Sequence, residues 1–162
     1  MPEVKITKIY LDMDGVVADF YKRYIHLYNV VPSEVSKKEF DLHFADFILT
    51  RQFQTLELMP GAIELIEFLR GLDVPTEILS STSNENRHTD ISEQKLKWLE
   101  NHQIDFKPNL VPGKRLKKAY ASPTSILIDD TPQNIDQWRQ QGGIGILHEN
   151  VTTTLGILKM YV

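Results

Sequence analysis

The segment Ser125-Ile126-Leu127-Ile128 does most to limit what this chain can fold into, because it runs without a spacer into Asp129-Asp130. A short unbroken apolar run bounded by polar residues reads as a strand covered on both faces, the pattern of a parallel sheet sandwiched by helices. Two other segments repeat it. Val4, Ile6, Ile9 and Leu11 give a short apolar strand leading into Asp12 and Asp14, and Pro75-Thr76-Glu77-Ile78-Leu79 ends in Ser80-Ser81-Thr82-Ser83. Asn109-Leu110-Val111 and Ile144-Gly145-Ile146-Leu147 add two more strands.

Helical periodicity fills the intervals. Pro60-Gly61 opens a helix lined by Ile63, Leu65, Ile66, Phe68 and Leu69, with Gly71 as its stop. A polar loop is expected over Asn84–Thr89, then a helix from Ile91 to His102 carrying Leu96, Trp98 and Leu99. Pro132 begins another helix, since a missing N–H costs nothing in the first turn, and Gly142-Gly143 ends it. Thr152 to Thr154 are candidate caps for a short C-terminal helix. Alternating strands and helices with right-handed crossovers imply an α/β fold, a Rossmann-like doubly wound parallel sheet. The stretch after the first strand is helical and aromatic: Phe20, Tyr24, Leu27 and Tyr28, then Phe40, Phe44, Phe47, Ile48 and Phe53. It reads as a small helical cap over residues 20–58, inserted into a core of residues 1–19 and 59–162.

The chain's 162 residues suit one domain, and with 41% hydrophobic residues it can bury a sizeable core. The absence of cysteine excludes disulfides, thiolate metal sites and a cysteine nucleophile. No apolar run approaches the roughly 18 residues that cross a bilayer, and Met-Pro-Glu-Val-Lys-Ile lacks the apolar stretch of a secretory signal. A soluble cytoplasmic protein without a membrane partner is therefore expected. A formal charge of −4 argues against long nucleic acid as a partner. Lys114-Arg115-Leu116-Lys117-Lys118 is a local basic exception, and by charge alone it reads as a solvated turn or helix face. The five histidines show no metal-ligand spacing and are assigned to surface or loops. Arg87 and His88 sit in the expected polar loop, where substrate contact ranks no higher than simple exposure to solvent.

In an open α/β sheet, ligands bind beyond the carboxyl ends of the strands, near the point where strand order reverses. Asp12/Asp14, Ser80/Ser81 and Asp129/Asp130 would then share one crevice. Four carboxylates there repel one another unless a cation or protons compensate. With oxygen donors alone, a hard ion such as Mg²⁺ is the natural guest. Serine hydroxyls that donate to an anion, with a lysine to neutralise it, suit a phosphoryl group. Taken singly, Asp-x-Asp-Gly can be only a turn, and Asp129-Asp130 before Thr131-Pro132 can be only a helix cap.

Together and in this order, these segments resemble the haloacid dehalogenase (HAD) superfamily of phosphohydrolases: Asp12-Met13-Asp14-Gly15-Val16 after a strand, Leu79-Ser80-Ser81, a lysine, then Ile126-Leu127-Ile128-Asp129-Asp130. The resemblance implies that Asp12 attacks phosphorus and forms an aspartyl-phosphate. It implies Asp14 as acid and then base, which needs an environment that raises its pKa. The Asp12 carboxylate, the Asp14 backbone carbonyl and the Asp129-Asp130 pair would hold Mg²⁺, with Asp130 the direct ligand and Asp129 close behind. Ser80, with backbone N–H groups near Ser81 and Gly15, would hold phosphate oxygens. Lys117 is the favoured phosphate-side lysine, with Lys114 and Lys118 as rivals and Lys95 as another candidate cation.

A closer resemblance, to the 5′(3′)-deoxyribonucleotidases and related small bacterial and phage proteins, rests on Asp12 to Phe20, Leu58-Met59-Pro60-Gly61-Ala62, Lys95 to Leu99 and the Ile-Asp-Asp run. It implies a small phosphomonoester partner, a (deoxy)nucleoside monophosphate, with Phe20 and Phe47 against the base. The alternatives are another small phosphomonoester, a nucleic-acid 3′-phosphate, or a phosphate-binding module without turnover.

Overall fold

The computed structural model describes residues 4–162. Residues 1–3, assigned by sequence to the core, lie outside the described residues. Five parallel strands, β1 (Lys8–Leu11), β2 (Thr76–Ser81), β3 (Lys107–Val111), β4 (Ser125–Asp129) and β5 (Ile144–Leu147), form one sheet in the order β3-β2-β1-β4-β5. The Rossmann-like arrangement is as expected. β1 is shorter than its apolar pattern suggested, since pairing with β2 and β4 begins only at Lys8 and Ile9.

Side-chain alternation sorts the strands' residues into two layers. Ile9, Leu11, Ile78, Ile126 and Ile128 face the larger core, which also takes Leu65, Ile66 and Leu69 from α3 (Ala62–Arg70) and Ile91, Trp98 and Leu99 from α4 (Glu85–Asn101). Tyr10, Leu79 and Leu127 point to the opposite face, against Ile135 and Trp138 of α5 (Pro132–Gln140) and Leu116 and Tyr120 of the 3-10 helix Lys114–Tyr120. α6 (Val151–Leu158) packs beside α3.

Between β1 and α3 lie α1 (Phe20–Tyr28), α2 (Lys37–Leu49) and the 3-10 turn Gln52–Thr55. Their aromatic rings stack on one another: Phe20 and Phe53 lie 5.7 Å apart, Tyr24 and Phe40 5.7 Å. Tyr24, Phe44, Phe47 and Phe53 join the same apolar cluster as Ile9 and Leu11. The inserted helices thus bury their aromatics against the sheet layer rather than around a separate core. Among the described residues, no helix is long and apolar enough to cross a membrane.

Three local expectations are corrected. The segment expected as a polar loop over Asn84–Thr89 is the start of α4: the Asn84 side chain accepts from Arg87 N at 3.1 Å and caps it. Its first turn is polar because it faces solvent, so periodicity emerges only at Ile91. Asn150, not Thr152 to Thr154, caps α6, accepting from Thr153 N at 2.8 Å. The histidines are not all surface or loop residues either. His148 is buried and bonded to Thr154 Oγ1 at 2.7 Å, and His43 of α2 meets Tyr24 Oη at 2.7 Å.

Candidate active site

β1 lies between β2 and β4, at the point where strand order reverses, so the carboxyl ends of these three strands share one edge. Asp12 N donates to Ile128 O at 3.0 Å, fixing the residue after β1 beside the end of β4. The chain then doubles back: Val16, Val17 and Ala18 donate to Met13 O at 3.1, 2.9 and 2.9 Å. Met59 N to Val17 O and Asp19 N to Glu57 O, both 2.8 Å, tie this loop to the strap before α3.

Gly15 sits at the tip with φ +79°, a conformation that L side chains rarely adopt, and an added Cβ would lie 1.9 Å from Asp130 Oδ2. Two independent constraints therefore require glycine there. Its N–H donates to Ala18 O at 2.9 Å. The turn thus uses the Gly15 N–H itself, which leaves the expected phosphate contact to other backbone N–H groups near Gly15.

The buried Lys117 ammonium lies 3.0 Å from Asp12 Oδ1 and 2.8 Å from Asp129 Oδ2. Lys114, Arg115 and Lys118 are exposed, whereas Lys117 is buried. The segment is therefore not wholly a solvated face. Burial works against the charge on Lys117, but Asp12 and Asp129 outweigh it and hold the ammonium well above the usual lysine range.

The two acids of the Asp129-Asp130 pair differ in their partners. Asp129, fully buried, accepts from Lys117, from Asn134 Nδ2 at 3.0 Å and from Thr131 N at 2.9 Å. Among the described residues, the Asp130 side chain meets only Thr131 Oγ1, at 3.4 Å. Oxygens of Asp12, Asp129 and Asp130 come within 4.8 Å of one another. Burial is the largest influence raising the Asp12 carboxyl above its ordinary range; Asp129 raises it further, Lys117 opposes, and Asp130 and Asp14 add smaller contributions. Asp130 is pushed up to about 6, chiefly by burial and then by Asp129. One ammonium does not offset this crowd of carboxylates. An all-oxygen donor set with excess negative charge fits a hard divalent cation.

Lys95 reaches the opposite side of the site from α4. Its buried ammonium donates to Ser80 Oγ at 2.7 Å, Ser81 O at 2.8 Å and Asp14 Oδ2 at 3.0 Å. Ser81 Oγ faces its own turn, accepting from Ser83 N at 3.2 Å. Asp12, Asp14, Ser80, Ser81, Lys117, Asp130 and Phe20 line one cleft of about 170 Å³, and the exposed Lys114 reaches its rim. Phe47 does not. It is wholly buried 5.0 Å behind Phe20 and 5.0 Å from Phe53, so the side chain expected against a base is a support for Phe20. Arg87 and His88 belong to α4: Arg87 stacks over Phe44 at 4.9 Å, and His88 bonds Thr82 Oγ1 at 2.7 Å.

Tyr21, Thr131 and Asn134 also line the cleft and were not singled out by sequence. Asn134 falls in the first turn after Pro132, where a polar residue next to an acidic pair was a usable signal. Tyr21 carries no such signal beside Phe20. A larger groove of about 590 Å³ runs past Lys22, His26 and Glu57 on the outer side of α1. It contains none of the clustered carboxylates, so the smaller cleft is the candidate site.

This sheet, with its carboxylates gathered at the β1/β4 switch point, defines a haloacid dehalogenase-type phosphatase. The chain belongs to the family described as 5′ nucleotidase, deoxy (Pyrimidine), cytosolic type C protein, whose model matches residues 5–155. No curated protein matches it in sequence. Among solved structures, a hydrolase from Streptococcus pneumoniae TIGR4 superposes with a TM-score of 0.60 at 17% identity, over 96% of this chain and 99% of that one. A HAD family enzyme from Bacteroides thetaiotaomicron gives 0.54 at 14% identity, over 93% and 98%. L-2-haloacid dehalogenase from Xanthobacter autotrophicus gives 0.52 at 10% identity, over 86% and 76%. At these identities the likeness is one of fold.

Proposed function

We propose that the chain is a Mg²⁺-dependent phosphomonoesterase working through an aspartyl-phosphate, and that its substrates are (deoxy)nucleoside monophosphates. The observation that carries the reading is the pairing of Lys117 with both Asp12 and Asp129 beside the less engaged Asp130. It gathers a nucleophile, a positive charge and an oxygen-donor set at one strand edge.

Asp12, Asp130 and the Asp14 backbone carbonyl would hold Mg²⁺, with Asp129 held behind them by Lys117, Asn134 and Thr131. When bound, the ion would neutralise phosphate charge and favour the ionised form of the nucleophile. Lys117 engages Asp12 Oδ1, leaving Oδ2 for in-line attack on phosphorus. The P–O bond to the leaving group breaks as the Asp12–phosphorus bond forms, and Asp14 gives its proton to the departing alkoxide. Asp14 then takes a proton from the water that attacks the aspartyl-phosphate, which releases inorganic phosphate and restores Asp12. Positioning and electrostatics supply most of what phosphoryl transfer requires.

The family match and the position of Phe20 on the cleft support the nucleotide assignment. A base stacked on its ring would gain roughly 1–3 kcal/mol. The test is a panel of phosphomonoesters assayed with and without Mg²⁺. Preference for dUMP or dTMP over sugar phosphates, lost on chelation, supports the proposal. Equal weak hydrolysis of every ester removes the nucleotide assignment, and full turnover by Asp12→Asn removes the covalent mechanism.

A further inference from the structure

Lys95 is buried and takes no part in the mechanism above, yet its ammonium touches both Asp14 and Ser80. An ammonium has three N–H donors and no acceptor. All three are committed here, to Ser80 Oγ, Ser81 O and Asp14 Oδ2 at 2.7, 2.8 and 3.0 Å. No donor is left for a substrate, so Lys95 is not the phosphate-side cation that the sequence offered.

The consequences fall on its two side-chain partners. A hydroxyl has one proton and two lone pairs. Ser80 Oγ accepts from Lys95 and meets no other partner among the described residues, so its proton is free to be donated into the cleft it lines. Asp14, which lines the same cleft, has Oδ2 engaged by Lys95, while Oδ1 is buried without a hydrogen-bond partner among the described residues.

We propose that Lys95 is a positioning residue that sets two roles at once. It makes Ser80 a donor to phosphate, and through Oδ2 it fixes the Asp14 carboxylate at the cleft where the leaving group and then water would exchange a proton with it. The proposal rests on the phosphatase reading of this site, and it ties the phosphate subsite on β2 to the acid/base on the β1 loop through one side chain of α4.

The test uses the full chain with Mg²⁺ and four proteins: wild type, Lys95→Met, Ser80→Ala and the double variant. Calorimetric titration with inorganic phosphate reads the subsite without turnover. Hydrolysis of p-nitrophenyl phosphate reads kcat and KM. Each single variant should weaken phosphate binding by about tenfold, the scale of one hydrogen bond to a charged group. The double should lose little more than either single, because Ser80 without Lys95 is no longer aimed. Lys95→Met should also lower kcat by about a hundredfold beyond Ser80→Ala, through Asp14. A folded Lys95→Met protein with wild-type phosphate affinity and kcat overturns the proposal, and so do additive losses in the double variant. If Lys95→Met does not fold, Lys95→Gln, which keeps two N–H donors without the charge, enters the same cycle under the same criteria. Wild type that binds phosphate but hydrolyses no ester would remove the phosphatase reading alone, since the binding cycle still decides whether Lys95 aims Ser80.

Discussion

Lys117 Nζ lies 3.0 Å from Asp12 Oδ1 with both side chains buried, and the same nitrogen holds Asp129 Oδ2 at 2.8 Å. A single cation thus joins the ends of β1 and β4. Removing it leaves two buried carboxylates facing each other.

Lys117→Met should therefore destabilise the metal-free protein by about 3–5 kcal/mol, the usual cost of deleting one partner of a buried pair. Urea unfolding measures this directly. Added Mg²⁺ should restore part of the loss, and a variant as stable as wild type without metal would contradict the proposed charge balance.

Asp130 carries a pH dependence whose sign is determined by its environment. Its carboxyl is pushed up to about 6 in the folded chain, against about 3.9 for a free aspartate. The folded state holds the proton more tightly, so the contribution is full below about pH 4 and is lost as pH rises through 6. His148 acts in the opposite sense: burial lowers its pKa, so its contribution is present above the ordinary histidine value and fades as pH falls. Asp130→Asn isolates the first effect. In metal-free buffer it should exceed wild type by roughly 1–3 kcal/mol at pH 7.5 and match it at pH 4. Saturating Mg²⁺ should reverse the order at pH 7.5.

Gly15→Ala places a methyl group against Asp130 Oδ2, at a φ that alanine adopts only under strain. Displacing this carboxylate should raise the Mg²⁺ concentration for half-maximal turnover by about tenfold or more, the cost of about 1.4 kcal/mol. Unchanged Mg²⁺ dependence would show that Asp130 is not a ligand.

Phe20 and Phe47 should separate cleanly. Phe47→Ala removes a wholly buried ring and should cost about 3–5 kcal/mol of stability. Phe20→Ala should raise KM for dUMP by about tenfold, within the range of base stacking on an aromatic ring, with little change for p-nitrophenyl phosphate at saturating enzyme stability. Equal KM changes for both substrates would remove Phe20 from base recognition.

The fold was legible because the strand signals are short-range. Ile126 to Ile128 are apolar without interruption, and helices between such runs leave few topologies open. Asp12, Ser80 and Asp130 could be placed in one cleft because each lies at the end of a strand, and parallel strands end together. The first turns of α4 were hidden because a solvent-facing turn shows no apolar period until Ile91.

What the residues alone determined is the order of the elements, the parallel sheet, and the gathering of Asp12, Asp14, Ser80 and Asp129-Asp130 at its carboxyl edge. Tertiary packing decided which lysines serve them. Lys114 and Lys117 stand one 3-10 turn apart and share a face in any local description, yet Lys114 is exposed while Lys117 is buried between two carboxylates. Lys95 looks like any helix lysine until α4 docks and brings its ammonium onto Ser80 and Asp14, 15 and 81 residues away along the chain. Periodicity records which face of an element is apolar. Only the docked sheet and helices settle which polar side chain that packing carries inward.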